Sequence, residues 1–167
     1  MGSEKEFLKS VENKIEGIEI HFDQDLTKFS TIKLHSVGNL VIVKNEFALQ
    51  QLINEIKKSK LQYKILGWGA NILLPENLPW IAIQLKFDFD KTYLDSVRDV
   101  YELPASVSLA VLTSTASKLG LKGWEVFTGI PASLGGAIFM NAGTNLGEIG
   151  SLITEVKYLD KNSEIKT

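Results

Sequence analysis

The sequence predicts an α+β fold, and three observations carry that prediction. The apolar run Leu40-Val-Ile-Val43 is followed by a helical period and then by a second strand-like run at residues 63–66. That is the spacing of a βαβ unit, whose two strands run parallel. Two glycine-rich stretches, Gly67-Trp-Gly-Ala-Asn71 and Gly129-Ile-Pro-Ala-Ser-Leu-Gly-Gly-Ala-Ile-Phe-Met-Asn-Ala-Gly143, interrupt the regular elements. A strand, turn and returning strand at residues 155–167 add an antiparallel hairpin.

Phe7, Leu8, Val11 and Ile15 recur at helical spacing, and Gly17 offers a stop. Ile18, Ile20 and Phe22 alternate with polar residues, as in a half-buried strand. Residues 23–28 are turn-like, and Phe29-Ser-Thr-Ile-Lys-Leu34 reads as a second extended piece. Asn45 is a good N-cap for a helix whose inner face is Ala48, Leu49, Leu52, Ile53 and Ile56, with lysines at its C-terminal end. Ile72-Leu-Leu74 is strand-like, residues 75–79 break the chain, and residues 80–85 form another strand. Residues 87–95 are irregular and acidic, and residues 97–103 are extended. Ser106 caps a helix with Leu109, Leu112, Ala116 and Leu119 on its core face, closed by Gly120. The apolar run Ala137-Ile-Phe-Met140 has the length of a short buried helix. The final hairpin stops with its second strand barely begun, so a longer protein is expected.

The formal net charge of −2 makes no electrostatic case for nucleic acid, and no run approaches a membrane span. With two histidines and no cysteine, thiol chemistry and zinc or iron–sulfur sites are not expected. With no signal-like segment, the expected compartment is the cytoplasm. No catalytic residue stands out. His21 and His35 lie far apart on apparent surface strands, Asp88 and Asp90 read as a solvated turn rather than a metal pair, and Glu148, next to a glycine, could approach a ligand, with a surface carboxylate as the alternative. Pro131-Ala-Ser133 lacks the glycine that a nucleophile elbow places two residues before its serine.

The glycine loops carry more. A glycine-bracketed loop at the carboxyl end of a parallel strand is where open α/β sheets bind ligands; a tight hairpin is the alternative for residues 67–71. Main-chain amides around Ser133 to Gly136, opening into a helix, suit an anion; a tight turn entering a core helix is the alternative. Together the loops suit the two ends of one diphosphate-linked cofactor, and a redox cofactor brings its own chemistry.

Thr31-Ile-Lys-Leu34, Ile65-Leu-Gly-Trp-Gly-Ala-Asn-Ile-Leu-Leu74, Gly123-Trp-Glu125, Gly129-Ile-Pro-Ala-Ser-Leu-Gly-Gly-Ala137 and Met140-Asn-Ala-Gly143 occur in one order. In that order and spacing they resemble the UDP-N-acetylenolpyruvoylglucosamine reductases, also called UDP-N-acetylmuramate dehydrogenases, whose flavin domain is of the vanillyl-alcohol-oxidase type. The match runs from about Phe29 to the C-terminus. The resemblance implies an FAD-binding domain of two lobes with the flavin between them, a small βαβ lobe and a second mixed or antiparallel sheet lobe with helices. Residues 1–28 are then a helical and extended lead-in, and residues 29–167 the FAD-binding domain. The lobes run from about 29 to 85 and from about 86 to 167, and the C-terminal substrate domain is absent.

The resemblance also implies a reaction in peptidoglycan-precursor synthesis. NADPH gives a hydride to FAD, and the flavin reduces the enolpyruvyl double bond of UDP-N-acetylenolpyruvoylglucosamine. Gly67, Trp68, Gly69, Ala70, Asn71 and Ile72 fall on the family's diphosphate loop. Gly129, Ile130, Pro131, Ala132, Ser133, Gly135 and Gly136 fall on the second loop, Asn141, Ala142 and Gly143 continue that wall, and Thr31 falls where a hydroxyl approaches the cofactor. Ala70 stands where serine is usual, Ala132 where glycine is usual, Pro104-Ala-Ser106 in place of Gly-Ala-Gly, and Asn145 where many members have tyrosine. The family's tyrosine–arginine substrate motif, serine proton donor and late glutamate fall beyond Thr167, so the isolated chain is expected to bind FAD without turning over substrate. Two other readings stay open: a flavin oxidoreductase of the same cofactor fold acting on an alcohol or hydroxy acid, and a non-catalytic flavin- or nucleotide-binding module. No histidine or cysteine stands near either loop to favour the first by covalent attachment.

Overall fold

Alternating burial along the strands of a computed structural model builds its larger sheet. The model describes residues 2–167; Met1, first residue of the expected lead-in, lies outside the described residues. The chain divides into two units, one formed by the chain up to Phe87 together with Lys157–Thr167, the other by Asp88–Val156.

In the first unit, α1 (Gly2–Glu12) precedes β1 (Ile18–Asp25), β2 (Val37–Val43), α2 (Glu46–Lys58), β3 (Tyr63–Ile65) and β4 (Ile81–Leu85). The sheet order is β1-β2-β4-β3. β1 is antiparallel to β2, while β2, β4 and β3 are parallel. The strands of the expected βαβ unit are therefore parallel, with β4 inserted between them. Val41, Val43, Ile81 and Ile83 point to one face and meet Leu8, Val11, Leu52 and Ile56 of the two helices. Leu40, Ile42 and Ala82 point to the other and meet Leu26, Leu66, Leu74, Leu78 and Trp80. Burial on both faces is why the central strands read as continuous apolar runs. Asn45 caps α2 as expected, its side chain accepting from the Ala48 N–H at 2.8 Å.

The crossover from β3 to β4 contains no helix, and its bonds go to residues 29–37. The Thr31 N–H donates to the Gly69 carbonyl at 3.1 Å, and the Val37 N–H to the Glu76 carbonyl at 2.8 Å. The Ser36 hydroxyl donates to the Pro75 carbonyl at 2.8 Å. This exchange at separated points replaces a continuous ladder, so the strands expected at 29–34 and 72–74 do not form. Because β3 and β4 are parallel, the alternative of a tight hairpin at residues 67–71 fails.

The second unit holds α3 (Leu109–Leu119), α4 (Leu134–Phe139), β5 (Gly143–Thr144) and β6 (Gly147–Glu148). Its core gathers Leu94, Leu109, Leu112, Phe127, Leu134, Ala137 and Ile149. Among the described residues its only sheet is the β5–β6 pair. The extension expected at 97–103 forms no strand, and tyrosine hydroxyls take two of its amides. The Arg98 N–H donates to the Tyr101 hydroxyl at 3.3 Å, and the Glu102 N–H to the Tyr93 hydroxyl at 3.1 Å. The cap of α3 is Ser108, not Ser106; its hydroxyl accepts from the Ala110 N–H at 3.2 Å. Gly120 closes that helix in the left-handed region, as expected. The run at 137–140 is not a buried helix. The helix starts earlier, Leu134 and Ala137 face the core, and Phe139 is 88% exposed.

The chain then returns to the first unit as the antiparallel pair β7 (Tyr158–Leu159) and β8 (Ile165–Lys166). Gln50 donates to the Ser163 carbonyl and Lys57 to the Ser163 hydroxyl, tying the turn to α2. Inside the turn, the Glu164 and Asn162 amides donate to the Asp160 carboxylate at 2.9 and 2.8 Å. The Glu164 amide is the larger cause holding the Asp160 carboxyl below the ordinary value of 3.8. A carboxyl depressed on folding adds stability that is complete above its unfolded value and is lost as pH falls through its folded value. Asp160→Asn is therefore expected to lose less stability than the unmodified chain between neutral pH and about pH 3, measured by urea midpoints; equal losses would refute the role.

Candidate functional site

The first loop is held from below. Gly69 is buried with φ +68°, and a Cβ there would lie 1.9 Å from the Phe29 carbonyl oxygen and 2.7 Å from the Ser30 Cα. This close approach of two backbones is what requires glycine. Besides its amide, Thr31 brings its hydroxyl to the Gly69 and Ala70 carbonyl oxygens at 3.5 and 3.4 Å. One hydroxyl proton serves one acceptor at a time, so these are weak, shared contacts. Their geometric consequence is larger than their energy. Among the described residues every peptide is trans. A trans peptide aims its N–H opposite its C=O, so the amides of Ala70 and Asn71 point away from Thr31. Both residues are exposed. Trp68 is half-exposed beside them, while Ile72 packs against the core. The structure thus brings Thr31 and the loop at 67–72 together. Ala70 contributes a carbonyl to the Thr31 hydroxyl and an amide to the exposed side, and neither role needs the serine hydroxyl.

The second loop differs from expectation. Gly129 has φ +79° with open space where a Cβ would stand. The amides of Leu134, Gly135 and Gly136 are already used. The Leu134 N–H donates to the Val107 carbonyl at 2.7 Å and the Gly135 N–H to the Ala105 carbonyl at 2.8 Å. The Gly136 N–H donates to the Ser133 hydroxyl at 3.4 Å. The amides expected around Ser133 to Gly136 as an anion cradle are thus engaged within the protein at Leu134, Gly135 and Gly136. The Leu134 and Gly135 amides fasten α4 to residues 105–107, while the Gly136 amide closes the helix's own N-terminal cap. Gly135 is glycine because a Cβ would sit 2.6 Å from the Ala105 Cβ. What the loop presents outward is the exposed stretch at Gly129 and Pro131.

Among the described residues, the non-glycine positions with positive φ are Asp23, Lys33, Lys60, Asn141 and Ser163. Ala132 is not one of them, so alanine in place of the usual glycine brings no backbone strain. Asn141, at φ 45°, donates its side-chain amide to Glu148 at 2.7 Å and accepts from the Gly150 N–H at 3.1 Å. Its side chain ties α4 to the segment after β6, and Ala142 and Gly143 follow in that junction. Sequence reasoning missed Ala105 and Val107 as the partners of the second loop. The signal that could have found them is Pro104-Ala-Ser106, the departure from Gly-Ala-Gly beside these acceptors.

The other titratable candidates carry no site. His21 lies on β1 with a buried Nε2 that has no hydrogen-bond partner among the described residues. His35 is exposed in a loop. Asp90 accepts from the Thr92 amide at 2.9 Å, which, with the Thr92 hydroxyl, lowers its carboxyl pKa. Among the described residues no three acidic or histidine side chains could hold a metal, and no helix is long and apolar enough to cross a membrane.

Residues 38–167 match the family model described as FAD binding domain. A UDP-N-acetylenolpyruvoylglucosamine reductase of Streptococcus agalactiae is 30% identical over 163 residues, 96% of this chain and 53% of the relative. One of Streptococcus pneumoniae is 32% identical over 154 residues, 92% of this chain and 50% of the relative. The chain spans about half the length of the curated relatives it matches. These alignments take in nearly the whole chain, so the resemblance reaches further toward the N-terminus than residue 29. The crystal structure of the UDP-N-acetylenolpyruvylglucosamine reductase from Thermus caldophilus superposes with a TM-score of 0.58 at 29% identity, covering 78% of this chain and 44% of that one. With the family model spanning most of its length, this mixed α+β chain belongs to the FAD binding domain family.

Proposed function

We propose that this chain is the FAD-binding part of a cytoplasmic, NADPH-dependent reductase that converts UDP-N-acetylenolpyruvoylglucosamine to UDP-N-acetylmuramate in peptidoglycan-precursor synthesis. The relatives' names support the substrate, and membership of the FAD binding domain family supports the cofactor. The observation that carries the reading is the seating of Thr31 against Gly69 and Ala70, which turns two carbonyls inward and two amides outward. The loop at residues 67–72, fixed by Thr31, holds the diphosphate, with the Ala70 amide directed to its exposed side. In the second loop, Gly129, Ile130, Pro131 and Ala132 are the proposed cofactor-facing residues. Ser133, Gly135, Gly136, Asn141, Ala142 and Gly143 shape that surface from behind. The chemistry FAD supplies when bound is hydride transfer.

A non-catalytic nucleotide-binding module is the second reading, and the occupied amides at 134–136 favour it. One experiment separates the two. After incubation with FAD and gel filtration, the chain is expected to retain flavin absorbance, and with NADPH and the enolpyruvyl substrate to give no lactyl product. A colourless preparation selects the second reading, and product formation by the chain alone refutes the partial-enzyme assignment.

A further inference from the structure

We propose that the Trp68 side chain is a stacking platform for a planar ring of the bound dinucleotide. The inference rests on the flavin-binding reading of the loop at 67–72 and adds a side-chain role to a loop so far credited with its main chain.

Trp68 is 50% exposed, although a large aromatic ring in a folded domain normally finds cover. The two glycines flanking it and the alanine after them carry too little side chain to shield an indole. Its backbone is nevertheless pinned, because Gly69 is buried against Phe29 and Ser30 and its carbonyl accepts from the Thr31 amide at 3.1 Å. A ring presented by a fixed backbone loses little freedom when a second ring lands on it. Nor is Trp68 alone. Ile32 and Leu34, on the segment that Thr31 ties to this loop, are each 54% exposed, and Leu73 is 68% exposed. Single exposed apolar residues are ordinary; four on two segments bonded to each other leave apolar side chains close in the fold to meet the flat part of a ligand.

The test is titration of the chain with FAD, with FMN (the isoalloxazine arm) and with ADP (the adenine arm), reading tryptophan fluorescence and equilibrium dialysis. Trp68→Leu keeps an apolar side chain and removes the ring; it is expected to weaken FAD binding about tenfold or more, while Trp68→Phe stays within about threefold. Both variants should melt with the unmodified chain, since the indole is half in solvent. A parallel loss for ADP identifies adenine as the stacked ring, and a parallel loss for FMN identifies isoalloxazine. If Trp68→Leu binds FAD within about twofold of the unmodified chain, the platform is refuted and the flavin-binding reading stands. If the unmodified chain binds no FAD, both fall together.

Discussion

Gly69→Ala is expected to cost the first unit about 3 kcal/mol or more. The added Cβ would lie 1.9 Å from the Phe29 carbonyl oxygen and 2.7 Å from the Ser30 Cα. Both are backbone atoms, so no side chain can rotate out of the way. Either residues 29–31 lift off the crossover or the crossover lifts off them. The Thr31–Gly69 and Thr31–Ala70 contacts are lost in both cases. Gly129→Ala is the control. Its φ is +79°, close to the +68° of Gly69, yet nothing lies within 4 Å of its Cβ. It should cost only the left-handed penalty of about 1 kcal/mol. Urea titration followed separately for each unit checks both, because a chain in two units need not unfold in one step. Similar small losses at the two glycines would mean that the approach at Gly69 is not tight. The Gly69 variant should also retain less flavin than the unmodified chain after gel filtration, because the loop at 67–72 loses its support from Thr31.

This pair of glycines shows what was legible in the chain and what was not. Local signals were read well. Leu40–Val43 is a buried strand because both of its faces are covered, and Asn45 caps α2 through its own side chain. Gly120 ends α3 in the left-handed region that glycine favours. The glycine density of both loops marked them as candidates, but could not separate two causes. Gly129 serves a conformation, whereas Gly69 and Gly135 serve the approach of a distant segment. The failures share that origin. Residues 29–34 and 72–74 have strand-like composition, yet the bonds around them link segments about forty residues apart at separated points, as from Thr31 to Gly69 and from Ser36 to Pro75. Ser106 and Ser108 both stand before apolar residues. The Leu109 amide, donating to the Ala132 carbonyl at 3.0 Å, and the bridge between Ser108 and Ser133 fix where the helix starts. Nothing in the order of residues announces that pairing. For the same reason the sequence alone does not show that Ala105 and Val107 accept from two of the amides at 134–136.

A double substitution follows from that last contact. Gly135→Ala puts a Cβ 2.6 Å from the Ala105 Cβ, well inside contact distance, so the two segments must part. Overpacking of this kind costs about 2 kcal/mol, partly offset by the better helix propensity of alanine, worth up to about 1 kcal/mol. A net loss of about 1–2 kcal/mol in the second unit is expected. Ala105→Gly removes the obstructing atom and should cost under about 1 kcal/mol alone. The other Ala105 atoms, the carbonyl oxygen at 3.2 Å and the Cα at 3.3 Å, are close enough to need only a small adjustment. Combined, the changes should therefore be less destabilising than Gly135→Ala alone, with a favourable coupling of about 1 kcal/mol or more in a double-mutant cycle. Gly69 permits no such rescue, since its obstacle is main chain. Additive losses at 105 and 135 would show that the pair does not hold α4 in place, and the assignment of the second loop's amides to structure rather than to ligand would lose its support.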